Sequence, residues 1–115
     1  MAESHTCSQS GRVYRVDKFV VPSQAREEFI GRVRSTHALL RTMPGFLQDF
    51  VLEQSGGPGE FNFVTLVEWQ SPEFVEAAKA VVMAEYRKTG FNPQELFARL
   101  GIKADIANYQ RVGAR

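Results

Sequence analysis

Four side chains in this sequence have types suited to chemistry on a bound small molecule: His37, Trp69, Tyr86 and Tyr14. His37 is the only imidazole in the region expected to fold, because His5 sits in the polar N-terminal stretch. An imidazole titrates near neutrality and can act as a general base if a ligand's proton lies within hydrogen-bond reach. Its structural alternative is a satisfied, half-buried histidine on a helix stripe. Trp69 ends an apolar strand just before a helix cap, where an indole can wall a cavity or simply fill the core. Tyr14, Tyr86 and Tyr109 each put a hydroxyl on an apolar body, and a buried tyrosine hydroxyl usually finds a partner. Glu68, Glu73 and Glu76 gather around the start of a helix, which reads as dipole complement and solvated surface.

Several chemistries lack their residues. There is no GxGxxG after a strand, no GxxxxGK[ST], no CxxC and no GxSxG. The glycines of "SGGPGE" lie between two strands rather than between a strand and a helix, so they read as a hairpin tip. Two His and one Cys, with His5 and Cys7 both near the N-terminus, make no typical zinc site within one chain. No metal and no cofactor is therefore expected. What remains is an aromatic-rich interior with a few hydroxyl and imidazole groups, suited to a flat, apolar, partly oxygenated molecule.

The elements that must position these groups follow from periodicity. Residues 1–11 are small and polar and read as a disordered tail, with Cys7 a bystander in it; residues 12–115 read as a single domain. A strand over about 12–21 puts Val13, Phe19 and Val21 on one face and Tyr14, Val16 and Val20 on the other. Pro22 ends it. Ser23 is the expected N-cap of a first helix whose stripe runs Ala25, Phe29, Ile30, Val33, His37 and Leu40. "TMPG" at 42–45 stops that helix. A second strand, 46–54, places Phe46, Phe50 and Leu52 on one face by alternation. A third, 60–69, places Phe61, Phe63, Thr65, Val67 and Trp69 on one face and Val64 and Leu66 on the other. Ser71-Pro72-Glu73 starts a second helix, striped by Phe74, Val75, Ala78, Val81, Val82 and Tyr86, and Gly90 stops it. "NPQE" caps a short third helix ending at Gly101, and a last strand runs over about 103–112.

The order β-α-β-β-α-(short α)-β defines an α+β, ferredoxin-like βαββαβ plan with a short extra helix before the last strand. Two helices cover one face of a four-stranded sheet. Strands two and three nevertheless carry apolar residues on both faces, and an uncovered face of that kind would be too large an apolar patch for water. A second copy is the simplest cover, so a homodimer is expected. Net charge is +1 and no basic stretch is interleaved with aromatics, so nucleic acid is not an expected partner. No apolar run approaches the roughly 20 residues that span a bilayer, and the start lacks a secretory pattern, so no membrane is expected. A lone cysteine fits a cytoplasmic location.

The segments "KFVVPSQAREEF" (18–29), "MPGF" (43–46) and "VEWQSPEFVEA" (67–77) resemble the antibiotic biosynthesis monooxygenase family over about residues 12–112. The resemblance implies a dimeric α/β barrel, two ferredoxin-like subunits with sheets face to face, and a ligand cavity between each sheet and its helices. It implies one of several activities: oxidation of aromatic quinols by O₂ without metal or flavin, haem degradation, or action on small signalling molecules. In its quinone-forming members an Asn stands four residues before the Trp and a Tyr six after it; Thr65 and Val75 hold those positions here. Its haem-degrading members use a helix-two His and a strand-one Asn, neither of which is present, so haem degradation is not expected. The reading is a cofactor-independent monooxygenase-like protein acting on a small aromatic or quinol-type molecule, with Tyr14, His37, Trp69 and Tyr86 as the polar set. The alternative is a non-catalytic dimeric binder of an apolar ligand.

Overall fold

A computed structural model describes residues 11–113. Most of the expected tail, with His5 and Cys7, lies outside those residues. Seven elements follow one another: β1 (Val13–Val20), α1 (Arg26–Leu40), β2 (Phe46–Glu53), β3 (Phe63–Trp69), α2 (Pro72–Thr89), α3 (Pro93–Leu100) and β4 (Lys103–Tyr109). The four strands form one antiparallel sheet in the order β2-β3-β1-β4. This is the α+β ferredoxin-like arrangement, with α3 as the extra helix before the last strand.

Three local expectations change. Ser23 does not cap α1; it opens a 3-10 turn, Ser23–Ala25, because Ala25 N–H donates to the Pro22 carbonyl at 2.9 Å. The main chain thus does the work assigned to the hydroxyl. β4 ends at Tyr109, opposite Tyr14, which is the last pair of the β1–β4 ladder. β3 begins at Phe63, after Asn62 has bonded both main-chain groups of Val21 at 2.8 Å through its amide.

The largest change is in β2. Phe46 pairs with Trp69 and Gln48 with the adjacent Glu68, so Leu47 is an extra residue in a β-bulge. A bulge reverses the alternation beyond it. Phe46 therefore faces the helices beside Trp69, ring centroids 5.9 Å apart, while Phe50 and Leu52 lie on the opposite, open face. Without the bulge Asp49 would share that open face; with it, Asp49 turns toward α1.

Two apolar clusters hold the helices to the sheet. One gathers Val13, Met43, Val67, Trp69, Val75 and Ala78. The other gathers Phe19, Val21, Ala25, Phe29, Phe63 and Ile102, with Phe29 contacting Phe19 and Phe63 at 4.9 and 5.1 Å between centroids. Burying a ring such as Phe29 contributes about 1.5–3 kcal/mol. Gly45 lets α2 approach β2: its φ is +83°, and a Cβ there would stand 2.2 Å from the Phe74 ring. Val81, expected on the buried stripe of α2, is instead 49% exposed, because α2 buries only Val75 and Ala78 outright.

Candidate active site

Between the helices and the sheet lies a cavity of about 470 Å³, lined by members of both apolar clusters. Thr65, Val67 and Trp69 of β3 form part of its floor, and His37 of α1 and Tyr86 of α2 part of its walls. Three of the four candidates read from sequence thus meet around one space. Tyr14 does not join them: strand alternation turns it to the open face, opposite Glu68 and Tyr109.

His37 has a defined chemical state. Its Nδ1 stands 2.8 Å from Asp49 Oδ2, and Arg41 holds the same carboxylate at 2.9 Å. An ionised carboxylate only accepts hydrogen bonds, so Nδ1 must carry the proton and donate it. Burial, only partly opposed by Asp49, holds the imidazole below its ordinary value. A neutral ring protonated on Nδ1 leaves the lone pair on Nε2, which has no hydrogen-bond partner among the described residues. A group of that kind, on a cavity wall, can accept a proton from a bound molecule.

Asp49 escaped the sequence reading because alternation counted from Phe46 gives no sign of the bulge at Leu47. A His followed twelve residues later by an Asp is not a recognisable spacing. Two further groups in the cavity were missed. Asp17 pairs with Arg15 at 2.9 Å, and burial nonetheless raises its carboxyl above the usual range. Arg32 lays its guanidinium 3.4 Å from the Phe91 ring centroid and 5.6 Å from that of Tyr86. Nothing local in the sequence distinguishes Arg15, Asp17 and Arg32 from surface charges.

Among the described residues no group of three or more His, Cys, Asp or Glu is placed to hold a metal ion. Among the described residues no helix is long and apolar enough to cross a membrane.

The fold is shared with several solved proteins. SnoaB from Streptomyces nogalater, a cofactor-independent oxygenase, superposes with a TM-score of 0.66 at 20% identity, over 90% of this chain and 96% of that one. The haem degrader MhuD from Mycobacterium tuberculosis gives 0.63 at 21% identity, over 90% and 98%. A conserved protein from Methanosarcina mazei Go1 gives 0.64 at 18% identity, over 93% and 99%. No curated protein matches the sequence. The family model for antibiotic biosynthesis monooxygenases matches residues 12–87, which carry β1 through most of α2 and with them His37, Asp49, Trp69 and Tyr86. On that match, the chain belongs to the antibiotic biosynthesis monooxygenase family.

Proposed function

We propose that this protein is a cofactor-independent monooxygenase that oxidises a small aromatic or quinol-type molecule with O₂, using His37 as its base. The observation that carries the reading is the neutral His37 ring, tied to Asp49 through Nδ1 and open at Nε2, on the wall of an apolar cavity beside Trp69. Such a ring takes the acidic proton of a phenol or of an anthrone methylene. The resulting carbanion or phenolate is electron-rich enough to reduce O₂ directly. For an anthrone the balance is simple: the CH₂ becomes C=O with one oxygen atom, and the other leaves as water with the two hydrogens. The protein binds and orients the ring, moves the first proton and keeps bulk water from the anion. Trp69, with Phe46 packed behind it, offers an aromatic wall, and Tyr86 lines the same cavity.

The working unit in this proposal is a homodimer, its sheets packed face to face. Support comes from the open face, where Phe50 is 47% and Leu52 52% exposed beside half-buried Val16, Val64 and Leu66. Left in water, that strip would be a liability for a monomer.

The test is aerobic incubation with a panel of anthrone- and naphthol-type compounds, following O₂ uptake and product absorbance. Uptake with at least one compound, lost in His37→Ala, is expected. Ligand-dependent Trp69 fluorescence with no uptake across the panel would overturn the proposal and leave a non-catalytic binder.

A further inference from the structure

We infer that the molecule bound in this cavity carries a carboxylate on its aromatic skeleton, and that Arg32 grips it. The inference rests on the cavity being a binding site for an aromatic molecule. Its own evidence is the state of Arg32. Four of the described arginines are half-buried: Arg12, Arg15, Arg26 and Arg32. Arg12 pairs with Glu68 at 3.3 Å, Arg15 with Asp17 at 2.9 Å and Arg26 with Glu53 at 2.8 Å. Arg32 has no carboxylate among the described residues, and its Nε is buried without any hydrogen-bond partner. A buried N–H left unmade costs stability, so folded proteins rarely keep one without a use for it.

The geometry around Arg32 says what would satisfy it. Phe91 lies against the guanidinium, its ring centroid 3.4 Å from Cζ and that of Tyr86 at 5.6 Å, and Arg32 is among the residues that line the cavity. With Nε buried, the two terminal nitrogens are the donors left for a ligand, and their parallel N–H groups match the two oxygens of one carboxylate. The cavity's charge balance agrees. Its lining holds Arg15, Arg32 and Lys79 against a single carboxylate, Asp17, which Arg15 already occupies. Arg32 and His37 stand five residues apart on α1, about 7.5 Å along the axis. A fused-ring skeleton spans that separation, with its anionic end at Arg32 and its reacting carbon near His37.

The matched ligands 2-naphthoate and 2-naphthamide have nearly the same shape and differ in charge. Calorimetric titration of the whole protein with each, in the absence of turnover, tests the inference. Naphthoate is expected to bind roughly 10- to 100-fold more tightly than the amide, the range of a charge-assisted hydrogen bond. Arg32→Gln should equalise the two by weakening naphthoate alone. Arg32→Lys keeps the charge without the fork and should lose most of the preference; it decides the matter if Arg32→Gln does not fold. Equal binding to the native protein, no binding of either ligand, or a preference that survives both substitutions would each overturn the inference. Neither constant involves O₂. A protein that prefers naphthoate but oxidises nothing would sink the proposed activity alone, whereas oxidation of quinols without carboxylate preference would sink this inference alone.

Discussion

His37 sits under two opposed influences, and their balance fixes what it can do. Burial disfavours the imidazolium, Asp49 favours it, and burial is the larger effect. The ring is consequently neutral at and above the ordinary histidine range, which is the state a base needs. Activity should therefore rise with pH along an acid limb lying below about 6.5 and stay level above it, because only protonated His37 is inactive. Asp49→Asn removes the group that holds the pKa up and dictates the tautomer. Its pH–rate profile should show the limb moved to lower pH and a reduced plateau; an unmoved limb would remove Asp49 from the account. At this scale the sequence was partly legible. His37, Trp69 and Tyr86 stood out by type and by stripe position, and the structure brings them to one cavity. Asp49, Arg32 and Asp17 did not, because a charged residue beside an apolar stripe looks the same whether it points into a cavity or into water.

The elements were easier to read than the residues, and the reason is physical. Pro72 at the first turn of α2, Gly90 and Gly101 with positive φ, and the Asn92 side chain accepting from Glu95 N–H at 3.2 Å are local signals of helix ends. A bulge has no such signature. Leu47 is an ordinary strand residue, and only its pairing partners reveal that it is surplus. That one residue decides whether Asp49 meets His37 and which face receives Phe50. The junction before it is equally constrained. Gly45→Ala places a methyl inside van der Waals reach of the Phe74 ring and forces an L-residue to a φ of +83°. The expected loss is about 2–4 kcal/mol. Gly57, at φ +88° with nothing within 4 Å, is the control, and its alanine variant should lose only the backbone part, roughly 1–2 kcal/mol. Thermal unfolding of the pair checks this; equal losses would show that Phe74 yields.

At the scale of the whole molecule, the sheet has two faces with separate tasks. One encloses the cavity with the helices, and the other presents an apolar strip whose proposed cover is a second copy. Sedimentation analysis is expected to show a dimer for the native protein and monomers for Phe50→Glu and Leu52→Lys. A native protein that is monomeric at micromolar concentration would refute the face-to-face arrangement. How residues divide between the two faces was legible for β1 and β3 from alternation alone, while β2 needed the bulge. On the other face, the proposed role of the cavity is to let a neutral imidazole start O₂ chemistry on an aromatic acid or quinol. Oxygen-electrode traces in chelator-treated buffer, with an anthrone as substrate, test it most directly. One O₂ should be consumed per quinone formed, with a rate that falls roughly 10²- to 10⁴-fold in His37→Ala. An unchanged rate in that folded variant would contradict it.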